Sequence, residues 1–133
     1  MSIIHDELNK LGIVCDNFSI LQDKDGVIVA RIASNEKSCV LKCFRKDEHK
    51  REMGNYQLLA SLGIPTIRVI ASTDSALLLE DIDCSPTYRL GIEEDMSDPE
   101  GARRIAVWYK LLHSRGYGYV CQSGESMYDE ADF

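Results

Sequence analysis

The sequence predicts an α+β fold: a five-stranded antiparallel sheet with one helix inserted after the third strand, plus a C-terminal helix. Three observations predict it. Three apolar and β-branched runs, Phe18-Ser19-Ile20-Leu21, Val27 to Ala33 and Cys39 to Phe44, alternate with the polar turns Asp23-Lys24-Asp25-Gly26 and Ser34-Asn35-Glu36-Lys37. Runs of that kind favour strands, whereas Asp, Asn, Ser and Gly favour turns. Asp47 to Leu62 then reads as a helix closed by Gly63, with Pro65 preventing its continuation. Finally, Thr66 to Ala71 and Ala76 to Glu80 flank the polar turn Ser72-Thr73-Asp74-Ser75, which suggests a hairpin and supplies the last two strands.

The remaining elements follow in chain order. Ile3, Ile4, Leu8 and Leu11 recur near helical spacing and stop at Gly12, so the chain opens with a short amphipathic helix of structural role. The helix from Asp47 begins with Asp47 and Glu48, where the backbone dipole favours negative charge. After Glu80 the sequence loosens into Asp83 to Asp98, which holds Pro86, Gly91 and the acidic run Glu93-Glu94-Asp95 and reads as a linker or surface segment. Asp98 as N-cap, Pro99 at the first helical position and Glu100 in the first turn launch an amphipathic helix through Ile105, Trp108, Leu111 and Leu112 to an expected stop near Gly116. The tail, Ser123 to Phe133, is acidic and aperiodic and is expected to be poorly ordered. The organisation is thus a lobe over residues 1–82, then a hinge or linker, an amphipathic helix and a mobile acidic tail over 83–133.

A chain of 133 residues with 44% hydrophobic content is long enough to bury one core and leaves little room for a second domain, so one compact unit is expected. With 22 acidic against 15 basic residues the formal charge is -7, and no Lys/Arg run is longer than a pair such as Arg45-Lys46 or Lys50-Arg51. That argues against nucleic acid as a partner, because phosphate binding needs concentrated positive charge. The N-terminus carries Asp6-Glu7 where an export signal would need a basic start and an apolar run, and no apolar run approaches the ~20 residues that cross a bilayer. A soluble, cytoplasmic protein with no membrane partner is expected. Cys15, Cys39, Cys43, Cys84 and Cys121 form no C-x-x-C pair, and His5, His49 and His113 complete no zinc spacing, so free thiols and no metal site are expected.

Two charged residues break the apolar pattern. Lys42 sits inside Cys39-Val40-Leu41-Lys42-Cys43-Phe44, an otherwise apolar strand. Glu52, Tyr56 and Leu59 lie at i, i+4 and i+7 of the helix, with Met53 and Ala60 flanking, so Glu52 falls on the core-facing stripe. A carboxylate there is costly unless it finds a cation or borders a cleft, and Lys42 is the obvious partner. Two blander readings stand beside this one: Lys42 facing water on a half-exposed sheet, and a helix register that turns Glu52 outward.

Over about Phe18 to Gly116 the chain resembles the protein-kinase-like fold, and within it the aminoglycoside phosphotransferases and related small-molecule kinases such as choline kinase. Val40-Leu41-Lys42 looks like the third-strand lysine motif, and Arg51-Glu52, in a helix running to Leu62-Gly63-Ile64-Pro65, resembles the partner helix with its G-x-P exit. Leu77-Leu78-Leu79-Glu80-Asp81-Ile82 resembles the fifth strand and hinge, and Tyr109-Lys110-Leu111-Leu112-His113-Ser114 is similar to the L-H-containing helix that follows. The resemblance implies a kinase-like N-terminal lobe whose cofactor is ATP. Lys42 would hold the α- and β-phosphates and Glu52 would orient it. The hinge Glu80-Asp81-Ile82 would meet the adenine edge through the backbone of Glu80 and Ile82, and Leu21, Val29 and Val40 would roof the ring.

Two features depart from the family pattern. The first turn, Gln22-Asp23-Lys24-Asp25-Gly26, keeps one glycine where kinases place a glycine-rich phosphate loop, and its aspartates would repel phosphate, although Lys24 could compensate. The H-x-D-x-x-x-x-N catalytic loop and the second metal-binding Asp do not occur among the 133 residues. The catalytic helical lobe is therefore expected to be absent, along with its Mg2+ and its small-molecule acceptor site, and the chain is expected to be inactive alone. A full-length protein would pass the γ-phosphate of ATP to an acceptor hydroxyl. The alternatives are a stand-alone nucleotide-binding or protein-interaction module without catalysis, and an unrelated α+β domain in which Lys42 and Glu52 form only a structural ion pair.

Overall fold

The computed structural model describes residues 2–34 and 36–123, so the expectation for the acidic tail lies outside the described residues apart from Ser123. Among the described residues, three α-helices and five strands succeed one another: α1 (Ser2–Leu11), β1 (Asn17–Lys24), β2 (Val27–Ser34), β3 (Lys37–Phe44), α2 (Arg51–Ser61), β4 (Val69–Ser72), β5 (Ala76–Glu80) and α3 (Pro99–Ser123). All pairings are antiparallel, in the order β1-β2-β3-β5-β4. The α+β class, the five strands and the helix after the third strand are as expected.

Where length alone argued for one compact unit, contacts divide the chain into two: Met1–Tyr56 with Ile67–Arg89, and Gln57–Thr66 with Leu90–Phe133. The first unit is built on the period-2 alternation of β2 and β3. Ile28, Ala30, Ile32, Leu41 and Cys43 point to one face, join Ala76 and Leu78 of β5, and are covered by Ile4 and Leu8 of α1. The opposite face gathers Phe44, Leu77 and Leu79, with Val27, Val40, Val69, Ile67 and, from α2, Met53 and Tyr56 packed against them. Because the four apolar residues Ala76 to Leu79 are all buried, β5 takes an inner position while the shorter β4 takes the edge.

Helix ends follow the glycines. At Gly12 (φ 70°) the Gly12 N–H donates to Asn9 O and the Ile13 N–H to Leu8 O; at Gly63 (φ 69°) the Gly63 N–H donates to Ala60 O and the Ile64 N–H to Leu59 O. Both are left-handed caps with paired reverse hydrogen bonds, a conformation glycine adopts without steric cost.

Three boundaries and one burial differ from expectation. Asp47 to Leu62 is not one helix: a 3-10 turn, Asp47–His49, precedes α2, which begins at Arg51. Ala60, expected beside the buried stripe, is exposed. Regular pairing in β4 starts at Val69 rather than Thr66, because the Glu80 carboxylate itself accepts the Arg68 N–H (3.0 Å) and a register shift follows between Val69 and Ala71. The last helix passes through Gly116 and Gly118 to Ser123. Glycine in a helix costs only ~1 kcal/mol, and Leu111, Leu112, Gly116 and Tyr119 keep a half-buried period running past the expected stop.

In the second unit, Asp98 caps α3 as expected, its Oδ1 accepting the Glu100 N–H at 3.1 Å. The Trp108 indole N–H donates to Pro65 O at 2.7 Å, and the Arg115 guanidinium donates to Leu62 O and Gly63 O at 2.8 and 2.9 Å. Arg115 thus satisfies carbonyls at the C-terminus of α2, where a cation is favoured. No helix is long and apolar enough to cross a membrane among the described residues.

Candidate functional site

The site lies on one face of the sheet in the first unit, and alternation puts it there. With Leu41 and Cys43 committed to the α1 side, Val40, Lys42 and Phe44 must face the other way. Lys42 stands opposite Val29 on β2 and Leu77 on β5. Glu52, in the first turn of α2, brings Oε1 to 2.5 Å from Lys42 Nζ. The Tyr56 hydroxyl, one helical turn on, donates to the same Oε1 at 3.1 Å. Lys42 Nζ also lies 5.7 Å from the centroid of the Phe44 ring, within range of a cation–π attraction.

The side chains of Lys42 and Glu52 remain 23% and 28% exposed. The pair is therefore reachable from solvent and not sealed in the core. The readings that turned Lys42 or Glu52 to bulk water do not describe this arrangement, since each has the other as its partner.

A second charged group occupies the same face. Arg31, two residues beyond Val29 on β2 and opposite Val40, donates from Nε to Asp81 Oδ2 at 2.8 Å, and from its terminal nitrogen to Asp81 Oδ1 at 3.4 Å and Asp83 Oδ2 at 2.6 Å. The Ser38 hydroxyl donates to Asp81 Oδ2 at 2.5 Å and the Asp83 N–H to Asp81 Oδ1 at 3.1 Å. Asp81 is only 4% exposed. Burial alone would raise its carboxyl pKa, but the hydrogen bonds from Ser38, Arg31 and the Asp83 N–H outweigh burial and hold it below the ordinary carboxylate value.

Of the expected site residues, Lys42, Glu52, Val29 and Val40 come together. Leu21 does not join them: it is the extra residue of a β-bulge between the pairs Ile20–Ala30 and Gln22–Val29, and it is 48% exposed. A bulge re-aims side chains in this way. The Glu80 N–H is spent on Arg68 O (3.0 Å) and its carboxylate on the Arg68 N–H. Asp81 is a structural acceptor through its side chain, as above. Ile82 begins a 3-10 turn, Ile82–Cys84, capped by Asp81, so the chain does not loosen directly after the strand.

The first hairpin is closed tightly. Lys24 pairs with Val27, and Asp25 and Gly26 turn the chain with φ of 54° and 84°, the left-handed pair that a two-residue hairpin demands. The Lys46 stem covers Gly26, where an added Cβ would come within 3.1 Å of it, and Asp23 lies 3.8 Å from Arg45. There is no open glycine cradle at this tip.

Two participants went unread in the sequence. Arg31 interrupts an apolar strand as Lys42 does, and Glu7 interrupts the apolar stripe of α1 as Glu52 does that of α2. Glu7 is 3% exposed and accepts hydrogen bonds from Ser75 (2.5 Å), Thr73 (2.6 Å) and Lys10 (3.2 Å), tying α1 to the β4–β5 turn. No group of three or more His, Cys, Asp or Glu is placed to hold a metal among the described residues. Compared with known proteins, the chain matches no family model and no curated protein.

Proposed function

We propose that the chain is the nucleotide-binding lobe of a small-molecule phosphotransferase similar to the aminoglycoside phosphotransferases, with catalysis supplied by groups outside these 133 residues. A single observation carries the reading: a lysine held by a helix-borne carboxylate, Lys42–Glu52 at 2.5 Å, at the border of an apolar floor made by Val29 and Val40 on the same sheet face. ATP combines a polyanionic tail, which needs a fixed cation, with a flat apolar ring, which needs a dry surface. Lys42 supplies the first and the valines the second. Tyr56 holds the Glu52 oxygen that faces Lys42, so the ammonium is aimed without a large rotamer cost on binding.

Within this reading ATP is the ligand, and the hinge from Glu80 to Ile82 borders the ring. Mg2+ and the acceptor alcohol would belong to the remaining lobe. The closed Asp25–Gly26 turn favours a second reading, a nucleotide-binding or protein-interaction module that never catalyses, because it offers the phosphates no backbone cradle.

Calorimetric titration of the chain with ATP separates a nucleotide site from a module that binds only protein and from a purely structural ion pair. Saturable binding that Lys42→Ala abolishes supports a nucleotide site. Absence of saturable binding by the intact chain would leave only the interaction module or the structural pair.

A further inference from the structure

The Arg31–Asp81 cluster has no place among the phosphate contacts, yet its residues belong to the same sheet face. Lys42 and Arg31 sit on neighbouring strands, two residues out of register. Strand spacing of about 4.8 Å and a rise of about 3.3 Å per residue put their Cα atoms roughly 8 Å apart. Val29, opposite Lys42, and Val40, opposite Arg31, fill the other two corners of this patch. The floor is therefore bounded by two carboxylate-held cations: one held by a helix, the other by the segment that follows β5.

Asp81 is the link. It is nearly excluded from water, it receives Arg31 and Ser38 from two neighbouring strands, and it caps the turn that starts at Ile82 through the Asp83 N–H. A carboxylate that accepts charge-assisted bonds from three directions fixes the backbone carrying it. The backbone from Asp81 to Asp83 is thereby indexed to β2, the strand that contributes Val29 to the floor.

Resting on the nucleotide reading, we infer that Arg31 is a positioning residue for the base end of the slot: through Asp81 it sets the backbone edge that reads the nucleobase, and it leaves the phosphate end to Lys42. Arg31 acts through Asp81 and Asp83 and makes no ligand contact of its own. Ser38 is its accessory, supplying the second donor to the same Asp81 oxygen.

The test compares ATP, GTP and inorganic tripolyphosphate as ligands of the intact chain, of Arg31→Lys and of Ser38→Ala. Arg31→Lys keeps the charge and loses the fork that spans Asp81 and Asp83. Either variant is expected to bind ATP roughly five-fold more weakly, the scale of one hydrogen bond. Its ATP-to-GTP ratio should move toward one, and its affinity for tripolyphosphate should stay unchanged. If Arg31→Lys does not fold, Ser38→Ala and Asp83→Ala, which each remove one side-chain bond of the cluster, carry the comparison. A wild-type chain that binds ATP, with variants whose ATP and tripolyphosphate affinities fall together or not at all, overturns the role of Arg31 and leaves the nucleotide site standing. A wild-type chain that binds none of the three removes the nucleotide reading itself, and this inference with it.

Discussion

Lys42 and Glu52 are ten residues apart in sequence and 2.5 Å apart in space, joined across the connection from β3 through the 3-10 turn Asp47–His49 to α2. Each is about a quarter exposed, so neither the full desolvation cost of a buried pair nor the full screening of a surface pair applies. Replacing Glu52 by Gln should cost about 1 kcal/mol of folding stability, with a similar cost for Lys42→Met. The double variant should cost less than the sum, because neither charge is then left alone. Urea unfolding of the four proteins measures the coupling, and strict additivity would show that the contact is energetically idle.

Acid should loosen the attachment of α1. Burial opposes ionisation of Glu7, but hydrogen bonds from Ser75, Thr73 and Lys10 prevail and hold its pKa below the ordinary glutamate value of 4.5. For a carboxylate depressed in the folded state, the stabilisation is complete above the unfolded pKa and is lost as pH falls through the folded one. Asp81 titrates with the same sign. Stability curves at pH 7 should show Glu7→Gln weaker than wild type by about 2 kcal/mol, the scale of hydrogen bonds to a charged group, and the gap should close as pH drops below 4.5. A gap independent of pH would contradict the assignment.

Gly63, at the end of α2, and Gly116, inside α3, should respond in opposite directions to substitution. Gly63 sits at φ 69°, and a Cβ there would come within 2.5 Å of the Arg115 guanidinium, so Gly63→Ala should destabilise by about 1–2 kcal/mol. Gly116 lies inside α3, where an added Cβ meets nothing within 4 Å. Gly116→Ala should therefore stabilise by about 0.5–1 kcal/mol. Thermal melts of both variants decide, and a loss of stability in Gly116→Ala would argue that α3 ends at the glycine after all.

Thiol reactivity should sort by burial. Cys43 has no exposed surface, and burial pushes its thiol up to about 11, whereas Cys84 and Cys121 are exposed. Alkylation at pH 8 followed by peptide mass mapping should label Cys84 and Cys121 first, with Cys43 labelled only after denaturation. Early labelling of Cys43 in the folded chain would contradict the packing of the β2–β3 core.

Much of this was legible in the sequence because it rests on period. The alternation of Val27 to Ala33 and Cys39 to Phe44 gives the strands, Gly12 and Gly63 give the helix ends, and a charge at an apolar position picks out Lys42 and Glu52. The same rule applied to Arg31 and Glu7 points to buried partners, although it cannot name them: Asp81 is 50 residues from Arg31 and Ser75 is 68 from Glu7. The Leu21 bulge and the capture of Arg68 by the Glu80 side chain depend on local strand registry, which composition does not encode. The division into two units depends on tertiary contacts for the same reason. Gly116 misled because a glycine ends a helix only when the apolar period ends with it.

The most direct test of the central claim is a backbone and methyl NMR titration of the chain with ATP, repeated on Lys42→Ala. The expected result is saturable shifts centred on Val29, Val40, Lys42, Glu52 and Ile82 that disappear in the variant while its spectrum stays dispersed. Shifts that persist in Lys42→Ala, that map away from this sheet face, or that never saturate would contradict the nucleotide site and leave Lys42 and Glu52 as a pair that only holds α2 to the sheet.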